Sequence, residues 1–129
     1  MNYQTPLARA RGLGSARQGS QDWWQQRVSA VALAPLSLWM AVNLSLLPDT
    51  TYAEVIHWMS LPWNTILLLS FILLTLYHAM MGLQVVIEDY VHNDWMKIIG
   101  MLGIKILTAF LALSTAFSVL RIVFVGGHG

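Results

Sequence analysis

The side chains in this chain with the greatest chemical scope are a histidine and, eleven residues further on, an aspartate–tyrosine pair. His78 falls within Trp63–Ile87, a run that is otherwise almost wholly apolar, and Asp89 and Tyr90 follow at its polar end. A membrane-crossing helix needs ~20 mostly apolar residues, and an ionisable group inside one is costly, so each such group starts as a functional hypothesis. At ~100° per residue an eleven-residue step turns ~1100°, within ~20° of three full turns. His78 and Asp89 therefore share a helix face, roughly 16 Å apart along its axis. A buried imidazole beneath an interfacial carboxylate and phenol points to a metal or haem ligand below a polar small-molecule site.

Each of these residues has a plainer reading. His78 can serve as hydrogen-bonding glue between membrane helices, or as an axial ligand to b-type haem, its tautomer set by the other ring nitrogen. Gly82 stands one turn further along the same face, where a missing side chain admits a flat macrocycle or a second helix. One histidine supplies one ligand, so a bis-histidine haem needs its second from a partner chain. Asp89 and Tyr90 read either as a polar helix end with an aromatic-belt residue or as a quinone head-group site. In the second case the phenol donates to a quinone carbonyl and the carboxylate helps supply the protons that reduction consumes. Arg27 opens the first apolar run, as a topology anchor or as the ion-pair partner of a haem propionate.

The remaining polar and aromatic residues carry ordinary expectations. Lys105, inside the third run, snorkels toward lipid head groups. His57 and His92 in loops and His128 in the tail are solvated. Trp23, Trp24, Trp58, Trp63 and Trp95 fall at predicted boundaries, as interfacial aromatics do. Ser37, Asn43, Ser45, Thr108 and Ser114 are candidates for interhelical packing.

The elements that must position these residues follow from composition. Of 129 residues 57% are hydrophobic and 10% charged, against about 25% charged in a soluble domain, which indicates an all-α integral membrane protein. Three transmembrane helices are predicted, over about 28–47, 63–87 and 98–125. Pro48-Asp49 ends the first, Pro62 precedes the second, and Glu88–Lys97 separates the second from the third; Pro35 should kink the first. Residues 1–27 then form an N-terminal segment and 28–129 a three-helix membrane domain. Absence of cysteine excludes disulfides, thiolate zinc, iron–sulfur ligation and covalent haem attachment on this chain. A formal charge of +1 with no basic patch gives no sign of nucleic-acid binding.

Arg9, Arg11, Arg17 and Arg27 precede the first span and Lys97 lies in the second connection, whereas Pro48–Pro62 has no Lys or Arg. The positive-inside rule puts the N-terminus and the Asp89/Tyr90 end in the cytoplasm and the C-terminus in the periplasm; Arg121 runs mildly against it but can snorkel outward. Met1–Gln21 has the arginines and the lack of acids of a mitochondrial transit peptide but not the apolar face. A bacterial cytoplasmic membrane is therefore expected, with the mitochondrial inner membrane as the alternative.

The stretch His78-Ala79-Met80-Met81-Gly82-Leu83-Gln84-Val85-Val86-Ile87-Glu88-Asp89-Tyr90-Val91 resembles the second helix of the small membrane-anchor subunits of succinate dehydrogenase, respiratory complex II. Leu13-Gly14 and Arg27-Val28-Ser29-Ala30 extend the likeness, and Trp23-Trp24 followed by Gln-Gln-Arg is similar to the alphaproteobacterial branch. The resemblance implies that His78 is one axial ligand of haem b, the other coming from a larger cytochrome b anchor subunit. It implies that Tyr90 and Asp89 belong to a ubiquinone-reduction site and that Arg27 lies near the haem propionates. Asp22 matches a family aspartate, but Gln21 stands where some relatives have histidine and cannot carry its charge. It further implies a flavoprotein subunit with FAD and an iron–sulfur subunit on the cytoplasmic face, where succinate is oxidised, this chain being a non-catalytic anchor.

Two rivals remain open on sequence grounds: the anchor of a quinol:fumarate reductase, and a cofactor-free three-helix assembly or transport protein in which His78 is only interhelical glue.

Overall fold

A computed structural model describes Pro6 and residues 16–126; Arg9, Arg11, Leu13-Gly14 and His128 lie outside the described residues. Helix α1 spans Ala16–Ser45, α2 Tyr52–Ser60, α3 Pro62–Tyr90 and α4 Asp94–Val125. Three of them carry apolar stretches fit to cross a membrane: 26 residues in Ser20–Ser45, 29 in α3 and 32 in α4. At ~1.5 Å per residue these reach roughly 39, 44 and 48 Å, against a hydrocarbon core of ~30 Å. The ends of each helix therefore project into the interfacial zone. The three expected spans stand.

The expected connection 88–97 shortens to residues 91–93, because α3 runs to Tyr90 and α4 starts at Asp94; the boundaries differ from expectation at two further places. Helix α1 begins at Ala16, so Arg27 lies about three turns inside it rather than at its start. The polar run before Arg27 has no apolar periodicity to announce a helix, yet Gln, Arg and Ala are good helix formers and no proline interrupts them. The helix then continues without interruption through Pro35.

The second difference is α2, within a segment expected to be loop, and His57 is accordingly helical. Its start is a capping box: the Thr51 backbone N–H donates to Glu54 Oε2 at 2.7 Å, and the Glu54 N–H donates to Thr51 Oγ1 at 3.3 Å. The hydrogen bonds from the Thr51 backbone and then its hydroxyl hold the Glu54 carboxyl below its ordinary value. Thr-x-x-Glu is a helix-start signature legible in the sequence.

Helix α3 is the hub, packing on α1 and on α4; α2 rests on α3 and α4. Close approach of α3 and α4 depends on Gly100, where an added Cβ would come within 3.2 Å of Ile87 Cδ1. Trp58 on α2 stacks on Trp39 of α1, ring centroids 5.6 Å apart, and its indole N–H donates to Asn43 Oδ1 at 3.0 Å. Asn43 thus makes the interhelical bond expected of it, and Trp58 does more than mark an interface. Ser45 does not pack between helices: its hydroxyl donates to Val42 O in its own helix.

Few side chains are buried within the chain; Ile56, Met81, Val119, Ser29 and Thr65 are those below a tenth exposed among the described residues. Most of the apolar surface is left for lipid or for other protein.

Candidate functional site

His78 sits where α3 meets α1. Its Nδ1 lies 3.0 Å from Ser29 Oγ, and Ser29 Oγ in turn lies 2.9 Å from Gln26 O. Ser29 is only 4% exposed. A carbonyl oxygen can only accept, and a hydroxyl has one proton to give. The arrangement that satisfies both contacts has Ser29 donating to Gln26 O while His78 Nδ1–H donates to Ser29 Oγ. The proton is then on Nδ1, and Nε2 carries the free lone pair.

A groove of about 430 Å³ opens at this point, lined by Trp23, Gln26, Arg27, Ala30 and His78. Residues 23, 26, 27 and 30 form one stripe of α1 by their i, i+3, i+4, i+7 spacing, so the helix delivers all four to the groove together. The Arg27 guanidinium carbon lies 5.3 Å from the Trp23 ring centroid, within cation–π range. Trp23 meets Trp24 edge-on with centroids 5.6 Å apart. Trp23 is therefore part of the groove wall and not merely an interfacial marker. Gly82 is next to open space: a Cβ added there would meet no atom within 4 Å.

Asp89 and Tyr90 stand apart from this groove. They close α3 and are exposed, Tyr90 by 77%, and lie about 16 and 18 Å beyond His78 along the axis. Glu88 and Asp89 occupy the last turn, which holds no basic residue; carboxylates there oppose the helix dipole. Local rules broken without local compensation tend to mark functional positions. Val91 caps the helix by donating its N–H to Ile87 O at 3.0 Å. Asn93 Oδ1 then accepts from the Trp95 N–H at 3.0 Å and starts α4. The pair is thus presented on a short, well-capped corner.

The structure brings His78 and Arg27 into one groove and leaves Asp89 and Tyr90 at the helix end. The Arg27-Val28-Ser29-Ala30 match includes Ser29, but no role for it, nor for Gln26 in the groove, follows from sequence. Ser29 and His78 are 49 residues apart, and the register of α1 on α3 is set by packing. The available signal was a small hydroxyl residue on one helix and a lone intramembrane imidazole on another. Gln21 and Asp22 are exposed on α1, and His57 and His92 are exposed.

The chain matches the family model described as succinate dehydrogenase/fumarate reductase transmembrane subunit over residues 1–113. It is 34% identical over 106 residues to the succinate dehydrogenase hydrophobic membrane anchor subunit of Rickettsia bellii (strain RML369-C), covering 81% of this chain and 84% of that one. The subunit of the same name from Paracoccus denitrificans is 30% identical over 97 residues, with 75% of each chain covered. The succinate dehydrogenase membrane anchor subunit of Reclinomonas americana is 28% identical over 94 residues, 70% of this chain and 78% of that one. No solved structure matches. By the extent of the family match and by its three apolar helices, the chain belongs to the transmembrane subunits of succinate dehydrogenase and fumarate reductase, as a hydrophobic membrane anchor.

Proposed function

We propose that this chain anchors a succinate:ubiquinone oxidoreductase in a bacterial cytoplasmic membrane, gives haem b one axial ligand through His78, and forms one wall of the ubiquinone-reduction site through Tyr90 and Asp89. The observation that carries this reading is the state of His78. Its Nδ1 lies 3.0 Å from Ser29 Oγ, which leaves Nε2 for a metal, and it borders a groove that also holds a guanidinium. An imidazole with Nδ1 engaged and Nε2 free has the donor set of a haem ligand. Open space beside Gly82 is compatible with a flat group lying against α3, and Arg27 is suited to pair with a propionate. When bound, haem b supplies one-electron transfer.

The rest of the chemistry belongs to this chain's own side chains. The Tyr90 phenol is free to donate to a quinone carbonyl, and Asp89 beside it can pass protons from water as the quinone is reduced. The larger cytochrome b anchor subunit supplies the second axial ligand. An iron–sulfur subunit and a flavoprotein carrying FAD dock on the cytoplasmic face, which the positive-inside rule assigns to the Tyr90 end. The family model also covers fumarate reductases, but the similar proteins named above bear the succinate dehydrogenase name; titration with ubiquinone against menaquinone separates the two directions.

The test is a reduced-minus-oxidised spectrum of the purified complex, with and without His78→Ala. The b-type α-band should be present in the parent and lost or displaced in the variant. An unchanged band in His78→Ala would remove His78 from the iron, and no band in the parent would leave His78 as interhelical glue.

A further inference from the structure

We infer that Ser29 is a positioning residue for His78: it fixes which nitrogen faces the iron, sets the plane of the ring, and makes the imidazole a more basic ligand. This rests on the reading of His78 as an axial haem ligand and extends it to a residue on another helix. Ser29 lies at the α1–α3 contact, 4% exposed, and its Oγ has two polar neighbours, Gln26 O at 2.9 Å and His78 Nδ1 at 3.0 Å.

Three consequences follow from that geometry. A hydroxyl that gives its only proton to Gln26 O can face Nδ1 only as an acceptor, so the tautomer with Nε2 free is selected. The bond crosses from α1 to α3, so the imidazole plane is tied to the register of the two helices rather than left to turn about χ2. A hydroxyl that donates is also polarised into a better acceptor, since chained hydrogen bonds reinforce one another. An imidazole donating to such an oxygen is the more electron-rich, as partners of metal-bound histidines generally make it. A more basic ligand favours the ferric over the ferrous state, so Ser29 holds the haem potential down. Charge near the ring acts separately through Arg27, and in the opposite direction.

The experiment uses the intact complex with Ser29→Ala, Ser29→Cys, Ser29→Thr and His78→Ala. It reads the haem midpoint potential and the low-spin ferric EPR spectrum. Removing the acceptor should weaken the ferric preference and move the potential upward, each tenfold change in the ferric/ferrous ratio being ~59 mV for a one-electron couple. Ser29→Thr keeps the hydroxyl and should keep the parent potential. Ser29→Cys keeps the volume with a poor acceptor and should shift upward with a moved EPR gmax. If Ser29→Ala does not assemble, the Thr and Cys pair decides: Thr unchanged with Cys raised supports the inference. Cys at the parent potential, or Thr and Cys displaced equally, overturns it. A parent without haem, or His78→Ala with an unaltered spectrum, would sink the underlying ligand assignment instead, and the two failures are distinguishable.

Discussion

A side chain placed at Gly82 tests whether the open face of α3 is occupied in the assembled protein. A Cβ added there meets nothing within 4 Å among the described residues, so Gly82→Ala gains ~0.8–1 kcal/mol of helix propensity with no steric cost from them. Taken alone, the chain should be unharmed or slightly stabilised. The position lies four residues beyond His78, ~6 Å along the axis and turned by ~40°. A macrocycle held by His78 and lying along α3 would meet the new side chain. Crowding a filled space costs roughly 1–3 kcal/mol, which is about a 5- to 140-fold loss of haem retention. Gly82→Phe should show it more strongly than Gly82→Ala. Gly100→Ala is the control, because its Cβ would press on Ile87 Cδ1 at 3.2 Å and disturb the α3–α4 contact instead. The assay is haem per flavin in the purified complex, with the amount of chain in the membrane measured alongside. Full haem with an unshifted α-band in Gly82→Phe would refute the placement of the macrocycle against this face.

Tyr90→Phe removes a donor from an exposed position without disturbing α3 packing. Ubiquinone reduction should fall roughly 2- to 12-fold, the worth of one hydrogen bond of ~0.5–1.5 kcal/mol, while succinate oxidation with a soluble dye is unchanged; equal loss in both assays would indicate failed assembly. Arg27→Ala should lower the haem potential, because a positive charge near the ring favours the reduced state. No shift in a redox titration would return Arg27 to stacking on Trp23 alone.

The spans, and the register of His78 with Gly82 and Asp89, were legible because each is a property of one helix. An apolar run of sufficient length and an eleven-residue step need no knowledge of neighbours. The start of α1 was hidden because Gln18–Arg27 lacks the apolar pattern that marks a buried face, although nothing in it prevents a helix. Helix α2 was legible in principle, from Thr51 and Glu54, but an apolar scan passes over nine residues between two prolines. Ser29 at the His78 ring was not legible. Its contact depends on how α1 and α3 slide past one another, which is settled by the summed packing of many side chains. Trp58 shows the same limit: its position near a boundary accounts for an aromatic, but only the fold reveals the stack on Trp39 and the bond to Asn43.

The way the helices are arranged also bears on what the chain can do by itself. With Nδ1 committed to Ser29, His78 has a single lone pair to offer a metal, and the described residues contain no cluster of three His, Cys, Asp or Glu that could hold one. His92 lies beyond the end of α3, about 21 Å along the axis from His78, and His57 sits on α2, outside the three long helices. Neither lines the groove at His78. On the proposed reading, the second histidine of a bis-histidine haem at His78 comes from a partner subunit. It follows that this chain expressed without its partners should insert in the membrane and yet show no bis-histidine b-type spectrum. Such a spectrum from the isolated chain, other than from two copies meeting through His78, would contradict the sharing of the haem with a partner subunit.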